Sequence, residues 1–117
     1  MYGEKIRADD AELFGEVVEA ILSVMGDDAV KIILYGSVAR GDNTPESDVD
    51  IAVLTAKKYD YEDSKKLHDV IFPIEWKYET IISVVPIDSY HYFRCKYDIP
   101  FYMNIEKEGV TLWKMCA

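Results

Sequence analysis

Cysteine is nearly missing from this chain, which has only two, Cys95 and Cys116. Neither stands in a Cys-x-x-Cys pair or a Cys/His array, so a disulfide framework, a zinc site and a thiol redox centre all lack support. Isolated cysteines serve more often as small hydrophobes. Histidine is equally scarce, with two residues. His68 falls on the polar side of a helical stretch and His91 stands among Tyr90, Tyr92 and Phe93, positions that suit surface or packing better than general-base chemistry. No apolar run approaches the roughly 18 residues of a membrane span. No basic start leads into an apolar signal segment either, so the expected compartment is cytoplasmic. Positive charge is in the minority: 13 Lys and Arg against 22 Asp and Glu leave a net charge of −9. Non-specific nucleic-acid binding works by neutralising phosphates, so that function is set aside. A small polyanion remains open, because local backbone donors and a bound cation can hold it against the overall field.

What is present is a globular composition. Of 117 residues, 50% are hydrophobic and 30% charged, enough for one domain, residues 1–117, with a single core. There is no internal repeat, low-complexity tract or dividing linker. Phe14, Val17, Val18, Ile21, Leu22 and Met25 recur at steps of three and four and predict a helix over 9–25, capped by Asp9 or Asp10 and stopped at Gly26. Val30–Tyr35 is a β-branched run cut off by Gly36, a buried strand. Residues 36–47 turn polar, as a loop or short helix. Val49, Ile51, Val53 and Leu54 mark a second strand. A helix over 60–78 carries Leu67, Val70, Ile71, Ile74 and Tyr78 on one face, with Pro73 expected to kink or split it. Thr80–Val85 is the third strand, ended or disturbed by Pro86. A helix over 102–108, stopped by Gly109, and an edge strand over 110–113 complete an α-β-loop-β-α-β-α-β order. The fold class is α/β: a mixed sheet of about four strands flanked by helices, its strand order open.

Asp48 and Asp50 are two apart in a strand, so both carboxylates point to one side. Like charges this close repel unless a cation or water lies between them. An Asp-x-Asp pair in an apolar strand therefore suggests a divalent metal, although the pair alone suits an exposed strand end equally well. Mg²⁺ prefers hard oxygen donors and is often held by one or two carboxylates plus substrate phosphates. Gly36-Ser37, directly after a strand, shifts the balance. The glycine permits a sharp turn and close ligand approach, and Ser37 and the following amides can face phosphate oxygens. Arg40 can contact phosphate, but pairing with Asp42, Glu46 or Asp48 to shape the loop is the stronger reading. Ser47 can cap the loop or orient Asp48.

Gly36-Ser37-Val38-Ala39-Arg40-Gly41, five residues, then Ser47-Asp48-Val49-Asp50-Ile51 resembles the signature of the DNA polymerase beta-like nucleotidyltransferase superfamily. Gly-Ser, ten residues, then Asp-x-Asp is its central motif, and the minimal nucleotidyltransferase (MNT) branch is the most similar. The tail from Pro100 to Leu112 looks like the end of many such members. The resemblance implies the polymerase beta-like fold and transfer of a nucleoside monophosphate from ATP or another NTP to a hydroxyl. Asp48 and Asp50 would be catalytic residues that hold Mg²⁺ or Mn²⁺, with Gly36, Ser37, Arg40 and Ser47 on the nucleotide side. It also implies a third carboxylate from the next strand. Ser83 stands at that position, and Glu79 and Asp88 are the nearest acids. Many minimal members bind a helical HEPN protein and adenylylate a tyrosine of that toxin, which makes a HEPN-type partner and an antitoxin role the expectation here. A homo-oligomer is compatible as well. The rival expectation is a nucleotide-binding module, weak or inactive in catalysis, that acts by binding its partner.

Overall fold

The computed structural model describes residues 8–116, with side chains from residue 11 onward. The Asp9/Asp10 cap lies outside the described side chains. Helix α1 (Ala8–Met25) leads through a short 3₁₀ turn, Gly26–Asp28, into strand β1 (Ala29–Tyr35). A five-residue helix α2 (Gly36–Arg40) follows directly, then β2 (Val49–Thr55), α3 (Tyr61–Tyr78), β3 (Ile82–Asp88), α4 (Ser89–Cys95), α5 (Pro100–Glu108) and β4 (Val110–Lys114).

The four strands form one sheet in the order β3-β2-β1-β4. β1 pairs antiparallel with β2 and with β4, whereas β2 and β3 run parallel. A parallel neighbour requires a crossover, and α3 supplies it. The sheet is therefore mixed and flanked by helices, as the periodicities predict.

Alternation along the strands feeds two cores. One face carries Ile32, Leu34, Val49, Ile51, Val53 and Ile82 against Phe14, Val17 and Ile21 of α1 and Leu67, Ile71 and Ile74 of α3. The other face carries Ile33, Ala52, Leu54 and Ile87 against Tyr92 of α4 and Tyr102 and Ile105 of α5. Each fully buried aliphatic side chain adds about 1.5–3 kcal/mol of transfer free energy. Helices α1 and α3 are also tied at the surface, where Glu16 accepts from Lys77 Nζ at 2.9 Å and from the Tyr78 hydroxyl.

Three local expectations need correction. Pro73 does not split α3, which runs unbroken from Tyr61 to Tyr78. The carbonyl it leaves without a donor belongs to Asp69, and both residues are exposed, where water can take the donor's place. Pro86 does not end β3 but pairs with Val53 inside it. β3 is a sheet edge, where a residue lacking an N–H is tolerated. The second half of the chain holds one helix more than the periodicity implies. Asp88 caps α4 by accepting from Tyr90 N at 2.9 Å, and Pro100 opens α5 at its first turn.

Candidate functional site

The two halves of the motif meet at one end of the sheet. Tyr35 on β1 is the register partner of Asp50 on β2, and Asp50 is the partner of Ser83 on β3. These three residues form a row on the face shared with α4 and α5. Asp48 directly precedes the first residue of β2 and is exposed, while Asp50 is half-buried. Gly36, the next residue after Tyr35, adopts φ +80°, in the left-handed region. A Cβ on Gly36 would lie 2.4 Å from Asp50 Oδ2. The glycine thus serves two needs at once: the turn out of β1, and backbone contact with the carboxylate.

Burial pushes the Asp50 carboxyl above its ordinary range, the charge of Asp48 adds to that, and Arg40 pulls the other way. Glu108 raises it further. Burial also raises the Tyr35 hydroxyl, with the Asp50 charge adding to the effect. This is a site with surplus negative charge in a partly dry place, and a cation would relieve it.

Glu108, the last residue of α5, is the site member that sequence reasoning missed. Its Oε1 accepts from Gly36 N at 3.0 Å, and Oε1 and Oε2 each accept from Arg40 Nη1 at 3.1 Å. Gly109 makes this possible. A Cβ there would meet Ile105 O at 2.4 Å and Ile33 Cγ2 at 2.7 Å, so only glycine lets the end of α5 close onto β1. Arg40 Nε also donates to Asp42 Oδ2 at 3.1 Å, one of the expected loop-shaping pairs.

A model of the nucleotidyltransferase domain family matches residues 16–109. The chain belongs to that family. It is 35% identical over 98 residues to a provisionally named protein adenylyltransferase of Methanocaldococcus jannaschii, covering 84% of this chain and 92% of the relative. Among solved structures, a toxin–antitoxin complex with AMP-PNP matches with TM-score 0.60 at 19% identity, over 87% of this chain and 73% of that one. A complex of an MNT antitoxin with a tri-AMPylated HEPN toxin of Shewanella oneidensis matches with TM-score 0.55 at 20% identity, over 90% and 73%. At these identities the structural matches speak to the fold, which is that of the nucleotidyltransferases.

The remaining residues expected at the site divide clearly. Ser47 closes the loop before the acid pair, its Oγ accepting from Thr44 N at 2.9 Å. Ser83 lies beside Asp50, because Ile82 and Val84 turn into the opposite core. Glu79 caps the end of α3 with φ +50° and shares a shallow cleft with Ser47 and Asp48. Asp88 is at the far end of β3, level with Thr55. Asp88 is five residue steps along the strand from Ser83, about 16 Å, so it does not stand at the acid pair. Among the described residues no three His, Cys, Asp or Glu side chains converge closely enough to hold a metal ion. His91 Nδ1 instead lies 2.7 Å from the Tyr102 hydroxyl, and His68 stacks on Phe72 with centroids 5.9 Å apart.

Proposed function

We propose that this nucleotidyltransferase moves AMP from ATP to a hydroxyl of a protein partner, as the antitoxin half of a HEPN–MNT pair. The observation that carries the reading is how close Asp50 lies to Gly36, where an added Cβ would stand 2.4 Å from Asp50 Oδ2. That proximity supports reading the Gly-Ser turn and the acid pair as parts of one site. Asp48 and Asp50 would hold Mg²⁺ or Mn²⁺. Two hard carboxylates leave most of the shell open, which suits a metal that arrives with phosphate oxygens. The metal would neutralise charge on the transferred phosphoryl group.

Gly36 and Ser37 would face the β- and γ-phosphates, with Arg40 and Ser47 shaping the loop around them. The acceptor oxygen forms a bond to the α-phosphorus as the bond to the bridging oxygen breaks, and pyrophosphate leaves. With Asp48 and Asp50 given to the cation and a serine at position 83, the acceptor proton would pass to water or to a group of the partner. A surface with net charge −9 favours a basic helical partner. The named relatives, one a provisional protein adenylyltransferase and one an antitoxin bound to an AMPylated toxin, support the same choice.

Incubation with α-labelled ATP, Mg²⁺ and the co-encoded helical protein should label that protein. Replacing Asp48 and Asp50 by Asn should abolish the label. Labelling that survives the double change would overturn the assignment.

The register of Ser83 beside Asp50 favours a second reading, a binding module with slow chemistry, because serine adds no charge where a third carboxylate would stand. Ser83→Asp separates the two. A large gain in rate supports the weakened-enzyme reading, whereas robust wild-type turnover with no gain supports the full enzyme.

A further inference from the structure

Helix α3 has two apolar sides. Leu67, Ile71 and Ile74 face the core. On the outer side His68, Phe72 and Trp76 recur every four residues, a spacing that stacks them on one face. The His68 and Phe72 rings stack with centroids 5.9 Å apart, and Phe72 meets Trp76 edge-on at 6.4 Å. Trp76 is 71% exposed and Phe72 47%. Packing of α3 on the sheet draws on the inner stripe alone, and a contiguous exposed ring row of this kind marks a protein contact.

The row leads to the acid pair. Trp76 lies in the last turn of α3, and three residues beyond the helix Ile81 is 62% exposed. The Ile81 carbonyl accepts from Val49 N at 2.8 Å, which fixes it beside the start of β2. Glu79 and Ile81 share a cleft of about 280 Å³ with Glu46, Ser47 and Asp48. A protein seated on the ring row and Ile81 therefore reaches over this cleft, the side from which an acceptor hydroxyl can approach Asp48 and Asp50.

Charge selects the occupant. Asp69, Glu79, Glu46 and Asp48 border this path and are all exposed. Lys65, one turn before His68, is the base on the same side, and Lys77 is committed to Glu16 at 2.9 Å. The other exposed aromatic group, around α4, carries cations instead: Arg94 lies 5.4 Å from the Tyr90 centroid, and Lys96 lies 5.4 Å from that of Phe93 and 5.3 Å from that of Tyr97. A basic partner is thus drawn to α3 and turned away from α4, while a second copy of this chain would bring another charge of −9. Side chains four apart on a helix form a ridge that fits the groove of another helix.

We propose that the outer side of α3, together with Ile81, docks a basic helix of the acceptor protein, with Trp76 as the anchor. The proposal rests on the nucleotidyltransferase reading and gives its acceptor a seat. Binding and label transfer, measured separately, keep the two apart.

Calorimetric titration of the co-encoded helical protein into the purified chain, at low and at physiological salt, is the test. Wild type should bind, and more weakly as salt rises. Trp76→Ala should weaken that binding by roughly thirtyfold or more, the loss of an interface hot spot, and leave Mg²⁺–ATP binding unchanged. Phe72→Ala should weaken it too, whereas Trp76→Phe should keep most of the affinity and Tyr90→Ala all of it. In the labelling assay Trp76→Ala should raise the KM for the acceptor and keep kcat. Wild-type affinity in both Trp76→Ala and Phe72→Ala would overturn the proposal, as would an equal loss in Tyr90→Ala. A wild type that sediments alone as a dimer, with a monomeric Trp76→Ala of full partner affinity, would assign the face to a second copy and overturn it as well. Partner binding that depends on Trp76, without label transfer by wild type, would support the docking face while the transfer reading falls. Label transfer indifferent to Trp76 at low acceptor concentration would do the reverse.

Discussion

Replacing Gly36 by alanine tests the site at its tightest point. Two costs arise together. The backbone at φ +80° is in the left-handed region, where a Cβ costs about 1–2 kcal/mol. The added carbon would also stand 2.4 Å from Asp50 Oδ2 and 3.2 Å from Cγ, against a comfortable contact of about 3.5 Å. The gap to be recovered is on the order of 1 Å. It can be recovered by turning the Asp50 carboxylate away or by lifting α2 off Glu108. Rotation of a half-buried carboxylate is the easier response, so most of the clash is relieved at the expense of the site. Expected destabilisation is about 1–3 kcal/mol, which lowers Tm by roughly 3–6 °C per kcal/mol in a chain of this size. Displacement of a reacting group by about 1 Å costs about a hundredfold in rate, so label transfer from ATP should fall at least that far. Thermal denaturation followed by circular dichroism and the transfer assay, run on the same preparation, measure both effects. Wild-type Tm with wild-type transfer would refute the packing argument. A lowered Tm with full transfer would show that the placement of Asp50 against the turn does not matter to the chemistry.

Asp50→Asn should raise Tm at pH 7. The folded state holds this carboxyl above its ordinary range, so its ionisation costs stability as pH rises from the unfolded value through the folded one. The gain should vanish below the ordinary carboxylate range, as a pH series of melts would reveal. Glu108→Ala should raise the KM for ATP about tenfold by freeing Gly36 N and Arg40 Nη1, whereas Glu108→Gln, which keeps an acceptor for the amide, should retain much of the affinity. Equal KM in all three proteins would remove Glu108 from the site. Tyr92→Phe should cost about 1–2 kcal/mol at neutral pH, because the Tyr92 hydroxyl donates to Glu106 Oε2 at 2.5 Å. That bond is the main reason the Glu106 carboxyl lies below its ordinary range. The penalty should therefore be complete above the unfolded carboxylate pKa and disappear as pH falls through the lowered folded value, which denaturant titrations at pH 7 and in acid would compare.

Local periodicity made α1, β1, β2 and α3 legible within a residue or two, because each has one buried side with a clean repeat. The parity of Ser83 was legible for the same reason. Isoleucine and valine on either side of it had to enter a core, so the serine had to face the other way. The stretch from Asp88 to Pro100 resisted. Seven residues of α4 are too few to display a helical repeat, and Tyr92 alone of its aromatics is buried while Tyr90 and Phe93 are exposed. Pro86 misled because proline punctuates a chain locally, whereas its tolerance depends on whether the strand is an edge. Glu108 was out of reach altogether. It lies 72 residues from Gly36, and an acid at a helix end is ordinary surface chemistry until the fold closes. The Gly109 that follows it was read as a helix stop. It also permits the close approach to Ile33, a contact no spacing rule encodes.

The location of the site follows from where the helical layer ends. On the α4/α5 face, Ala52, Leu54 and Ile87 are covered by Tyr92, Tyr102 and Ile105 and are buried. One pleat nearer the end of the sheet, Tyr35, Asp50 and Ser83 are only half-buried, because α5 runs out at Glu108. A carboxylate in the covered rows would be lost to desolvation, and one beyond the sheet would be fully hydrated and weakly coupled to anything. Asp50 is at the boundary, where solvent still reaches it and low-dielectric surroundings strengthen its interactions. There it feels Asp48 and Glu108 as repulsion and only Arg40 as relief. The fold thus retains a local electrostatic strain that a ligand carrying positive charge would discharge. Under the proposed function, a nucleotide that arrives with its cation would gain binding energy in that way, whereas a bare triphosphate would add to the repulsion.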